Sequence, residues 1–152
     1  MTRKCGLLVV ELTKYGDTPI LSSVSIKLRV PKPCVFVGSS RKDLLGFPPP
    51  VRRNIGHALH QVQSGGEPLS AKALKGFGGR TVLEVIDDFD SDTFRAVYTV
   101  RFAGVVYVLH AFQKKSKKGS ATPKREIELI NSRLRDAEEL HRARAEPGGS
   151  KP

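Results

Sequence analysis

At 152 residues and 39% hydrophobic, the chain is long enough for one domain with a modest core and some extension. Its 26 Lys and Arg exceed its 15 Asp and Glu, and a net charge of +11 points to an anionic partner: nucleic acid ahead of a membrane, or else an acidic protein. Two cysteines far apart, Cys5 and Cys34, exclude a disulfide scaffold and a cysteine metal cluster, and a reduced cytosolic protein is the simplest reading.

Residues 1–32 carry scattered β-branched residues, including Val24 and Ile26, without a continuous period. They read as an appended arm or hairpin. The apolar stretch Leu7 to Val10 is stopped by Glu11, too short for a signal-peptide core, and no segment is long enough to span a bilayer. Pro31 and Pro33 then punctuate the chain.

Val35 to Val37 reads as a short strand, and Ser39 or Ser40 suits the cap of a short helix through Leu45. Three prolines, Pro48 to Pro50, open a longer helix. In it Val51, Ile55, Leu59 and Val62 recur at helical spacing on one face, and Gly65-Gly66 ends it. His57 and His60 lie three apart on this helix, with no third ligand nearby, and read as a surface pair. A glycine-containing loop from Glu67 to Gly79 follows, with Lys72 and Lys75 in it and Arg80 just beyond. Its clustered glycines lack the lysine-serine pair of a phosphate-binding loop.

Three strands are predicted next, at 80–87, 93–102 and 105–112. The acidic run Asp87 to Asp92 lacks the glycine and distal glutamate of a calcium loop and reads as a solvated hairpin turn. In the middle strand Phe94, Ala96, Tyr98, Val100 and Phe102 share one face, while Arg95, Val97, Thr99 and Arg101 share the other. This predicts a sheet packed on helices on one side and offering charge on the other. Thr122 and Pro123 then start a helix whose apolar stripe is Ile127, Ile130, Leu134 and Ala137. Residues 145–152 read as a disordered tail.

The densest signal is the end of the third strand. Val105 to Phe112 opens directly into Lys114, Lys115, Lys117 and Lys118, with no acidic residue before Arg125. Such a segment is either a solvated connector or a rigid platform for a phosphate. Lys72, Lys75, Arg80, Arg95 and Arg101, on the loop and strands expected to neighbour it, favour the platform. Fixed cations stabilise the extra charge of a pentacoordinate phosphodiester more than its ground state. Arg95 is the best single candidate, a planar fork on a rigid strand. His110 shares a face with Phe112 and is either a general acid or base or a core histidine satisfied by a carbonyl.

Four pieces of the chain resemble the RelE/ParE toxin superfamily and, within it, the phage-derived HigB-like toxins. They are Val35 to Ser40, Lys72 to Gly79, Phe94 to Val100, and Tyr107 to Lys115 with Thr122 to Ile127. The resemblance covers about residues 33–140, and the toxin domain is expected over 33–144. It implies an α+β toxin: a strand, two helices, a three-stranded antiparallel meander and a C-terminal helix. It further implies a cytoplasmic type II toxin that cleaves mRNA in the ribosomal A site through the ribose 2′-hydroxyl, with no metal or cofactor. The partners implied are the ribosome, mRNA and a helix-turn-helix antitoxin, with the free toxin a monomer and its complex a hetero-oligomer. By position Arg95 matches the family's strand arginine at the scissile phosphate. Lys114 or Lys115 matches its basic residues at the last strand's end. His110 and Lys75 are looser matches. Lys72, Arg80, Arg101, Lys117 and Lys118 are the expected RNA-contacting cations. Residues 1–32 have no counterpart in the family, and no aromatic residue follows Phe112 where some relatives use a tyrosine, so the general base is left unassigned. A gyrase-inhibiting binding toxin of the ParE branch and an inactive phage remnant are the alternatives.

Overall fold

A computed structural model describes residues 30–79, 81–115 and 121–145. The expected arm up to residue 29, the tail from 146, and Arg80, Lys117 and Lys118 lie outside the described residues. The chain runs β1 (Cys34–Phe36), α1 (Ser40–Leu45), α2 (Pro49–Gln63), β2 (Ala71–Ala73), β3 (Val82–Phe89), β4 (Asp92–Thr99), β5 (Val106–Lys114) and α3 (Lys124–Ala145). The five strands form one mixed sheet in the order β1-β5-β4-β3-β2. β1 lies parallel to β5, and the other neighbours are antiparallel. The fold is α+β, consistent with a RelE-like domain.

The helix signals translate directly. Val51, Ile55, Leu59 and Val62 are all buried against Phe94, Ala96, Tyr98, Val106 and Val108 of the sheet. Proline at the first position of α2 starts it without a lost donor, and Gly65, at φ +85°, turns the chain out of it. Ser39 precedes α1, but its hydroxyl donates to the Asp43 carboxylate at 2.9 Å instead of capping a backbone N–H. The buried Ser40 hydroxyl donates to the Val108 carbonyl at 3.1 Å and pins α1 to β5. The β3–β4 hairpin closes through two residues, Asp90 and Ser91, both at positive φ, the geometry that matches strand twist. β2 was not expected. Ala71–Ala73 is only three residues with small apolar side chains, too weak a pattern to read as a strand, and it is one because it pairs with Leu83–Val85.

The expected open, charged face of the sheet is not open. α3 lies on it, and Ile130 and Ala137 pack into a second core with Val82, Val97, Tyr107, Leu109 and Phe112. Arg95, Val97 and Thr99 are therefore all buried. The helix stripe and the sheet face each needed a cover, and each covers the other. β4 also ends earlier than expected. The Thr99 hydroxyl donates to the Thr81 carbonyl at 2.6 Å and accepts the Arg101 backbone N–H at 3.2 Å, so Arg101 leaves the ladder.

One irregularity positions the site. Val97 pairs with His110, but Tyr98 pairs with Val108, so Leu109 is an extra residue in β5. At this bulge the alternation slips. Val106, Val108 and Ala111 face α2, while Tyr107, Leu109 and Phe112 face α3.

Candidate functional site

α3 runs back along β5, antiparallel to it: its first turn reaches His110, and His141 near its end meets Tyr107 and Phe102. Beneath its first half lies a cluster of charged groups. Arg95 Nη1 donates to Glu84 Oε2 at 2.9 Å and to Thr122 Oγ1 at 3.1 Å. Glu84 sits opposite Val97 on β3, so the pair is a diagonal one on the α3 face. The side chains of Arg95 and Glu84 are only 5% and 10% exposed.

His110 is the second centre. Its Nε2 lies 2.5 Å from Glu126 Oε2, and its Nδ1 lies 2.9 Å from Arg133 Nη1. A guanidinium has donors only, so Nδ1 must accept and the ring proton resides on Nε2, donated to the Glu126 carboxylate. The imidazole also stacks on Phe112, with centroids 5.2 Å apart.

Arg133 ties three elements together. Nη1 also donates at 3.0 Å to the carbonyl of Leu109, the residue the bulge leaves without a β4 partner, and Nη2 donates to Ser39 Oγ at 2.6 Å. Asp43 Oδ2 lies 4.0 Å from both Arg133 Nη1 and His110 Nδ1. Gly38, at φ +56°, makes room: a Cβ there would stand 2.9 Å from Arg133 Nε.

The sequence-nominated cations divide into two groups. Pairings of Lys72 with Glu84, Phe112 with Arg95, and Lys114 with Thr93 put Lys72, Arg95, His110 and Lys114 on one sheet face. Lys114 Nζ donates to the Ala121 carbonyl at 2.9 Å, closing the approach to α3, while Lys115 and Lys72 are exposed. Arg101 and Lys75 are not with them. The antiparallel register puts Lys114 beside Thr93, and Lys75 and Arg101 lie beyond the Val82–Thr99 pair at the other end of the sheet. His57 and His60 are exposed on α2, as a surface pair should be.

Sequence reading overlooked Glu84, Glu126 and Arg133 as partners. A signal was present: Glu126, Ile130, Arg133 and Ala137 recur at spacings of four, three and four, so two charges sit on the apolar stripe itself. Glu84 likewise interrupts the run Val82 to Ile86.

An α+β domain with two arginines, a histidine and two carboxylates, Arg95, Arg133, His110, Glu84 and Glu126, interlocked between its sheet and C-terminal helix is the class of protein that these features define. Residues 42–135 match the family described as phage-derived protein Gp49-like (DUF891), and the chain belongs to that family. The family is associated with RelE- and HigB-type toxins. The match includes Asp43, Glu84, Arg95, His110, Lys114, Glu126 and Arg133. No curated protein matches the chain. No helix among the described residues is long and apolar enough to cross a membrane.

Proposed function

We propose that this protein is the toxin of a type II toxin–antitoxin pair, of the HigB-like branch of the RelE/ParE superfamily, and that it cleaves mRNA on the ribosome. One observation carries the reading: Arg95, His110 and Lys114 stand on the same face of the sheet, in a chain whose family is associated with such toxins. The nucleophile is the RNA's own 2′-hydroxyl. The work left to the protein is to bind the phosphate, stabilise its transition-state charge and move a proton. Lys115 supplies mobile positive charge at the rim beside Lys114, which is held on the Ala121 carbonyl, Arg95 supplies fixed charge, and His110 serves as the general acid or base. The ribosome, mRNA and a helix-turn-helix antitoxin are the partners, and the cytoplasm is the place of action.

A specific observation favours a second reading. Arg95 and His110 are buried and hold protein partners, which a toxin that acts by binding gyrase would tolerate. Induction followed by mapping of mRNA 5′ ends separates the two. Cuts inside translated codons that vanish when translation is blocked support the nuclease. Intact mRNA with falling gyrase supercoiling activity supports the binding toxin.

A further inference from the structure

The two groups with the chemistry for the proposed reaction are closed off by the chain itself. Arg95 and His110 have side chains 5% and 8% exposed. What meets them at α3 is polar: Thr122 Oγ1 on Arg95 and the Glu126 carboxylate on His110 Nε2. A carboxylate oxygen and a phosphodiester oxygen are alike here, each an anionic acceptor for the same N–H.

The start of α3 is held differently from its middle. Ile130, Arg133 and Ala137 are buried, whereas Lys124, Arg125, Glu128 and Leu129 are exposed and Glu126 and Ile127 are half-buried. The middle is anchored by apolar burial and the Arg133 staple. The first turn relies mainly on polar contacts, with Ile127 its one partly buried apolar side chain. Polar contacts can be exchanged for those of an anionic ligand without exposing a large apolar surface. Segments with little buried apolar area also open locally at lower free energy than the core.

We propose that the first turn of α3 is a built-in competitor for substrate: the Glu126 carboxylate holds on His110 Nε2 the place of a phosphodiester oxygen, and binding lifts that turn while Ile130 to Ala137 stay docked. This rests on the nuclease reading and concerns regulation of the same site. It also accounts for a charged residue on the stripe that the helix turns toward the sheet.

The test uses a single-stranded RNA oligonucleotide with 2′-O-methyl riboses, which cannot be cut by 2′-hydroxyl attack. Glu126→Ala should bind it about tenfold more tightly than the natural protein, the scale of one lost charge-assisted contact. Glu128→Ala removes the same charge from the same helix, but Glu128 pairs with Lys124 at 3.9 Å and does not face the site. It should leave affinity nearly unchanged, and Glu126→Gln should fall between. With the oligonucleotide bound to the natural protein, the amides of Glu126 and Ile127, which donate to the Pro123 carbonyl, should lose hydrogen-exchange protection while those of 130–137 keep it. Equal gains for Glu126→Ala and Glu128→Ala, or unchanged affinity and protection, overturn the competitor and leave the nuclease reading standing if cellular mRNA is still cut. No binding by any variant, with no cuts in cells, removes both.

Discussion

Arg133 donates to His110 Nδ1 at 2.9 Å, and so decides which imidazole nitrogen carries the proton. The donor comes from α3, and its other contacts reach Leu109 in the β5 bulge and Ser39 ahead of α1. The histidine is therefore oriented by the assembled fold as well as by the Phe112 ring on its own strand.

The Arg95–Glu84 pair changes what an arginine deletion reports. On an open face, Arg95→Ala would spare the fold and remove a transition-state contact. Buried as it is, the variant strands Glu84 without its ion-pair partner and should lose about 3–5 kcal/mol of stability. Urea unfolding followed by circular dichroism measures this. Arg95→Met combined with Glu84→Leu should recover most of it. Natural stability in Arg95→Ala alone would mean that the pair holds nothing.

Gly38 and Gly104 form a matched comparison. Both have positive φ, at +56° and +77°, but only Gly38 would put a Cβ against Arg133. Gly104→Ala should lose roughly 1–2 kcal/mol from backbone strain. Gly38→Ala should lose more, because the staple must shift as well. Equal falls in melting temperature would show that Arg133 yields freely.

The lysines at the β5 end should separate activity from stability. Lys115 is exposed, so Lys115→Ala should melt like the natural protein. It should lower ribosome-dependent cleavage roughly 10-fold, less than the ~10²–10³ of a preorganised donor, because a lysine stem is flexible. Lys114→Ala also frees the Ala121 carbonyl and should show both effects. Full cleavage by the double variant would remove this segment from the mechanism.

Cys34 gives a pH-dependent readout. Burial raises its thiol pKa, since the thiolate is the form that burial disfavours. Below the ordinary thiol range near about 8.5, less thiolate forms than on a free chain, so alkylation should be slow and rise only at higher pH. Iodoacetamide labelling in a Cys5→Ser background, folded against urea-unfolded, tests it. Identical pH profiles would contradict a shielded thiol.

An antitoxin, if the proposed function holds, should bind through charge as well as apolar contact. At net charge +11 the protein attracts an acidic surface at long range, so association should slow as salt rises. Stopped-flow association at several ionic strengths measures this. A rate flat in salt would leave apolar burial as the main attraction.

Much of the architecture is legible from local pattern. Val51, Ile55, Leu59 and Val62 lie at helical spacing, and they are buried together because that spacing puts them on one side of a cylinder. The proline start and glycine end of α2 are decided within a few residues, and the hairpin turn falls inside the acidic run 87–92, although only Asp90 and Ser91 turn while Asp87 to Phe89 extend β3 and Asp92 opens β4. The shared face of His110 and Phe112 also followed from the two-residue period. The tertiary structure alone decided what covers that face. Periodicity says that Arg95 and Val97 point the same way, but not that α3 returns over them. It cannot see the extra residue at Leu109, because a bulge is defined by the partner strand's register. Nor can it match Glu84 to Arg95, Glu126 to His110, or Arg133 to Ser39, which are separated in sequence by 11, 16 and 94 residues. Such pairs exist only once the strands are in register and the helix is docked. A buried charge must find a partner within hydrogen-bond reach, and sequence spacing does not encode that distance.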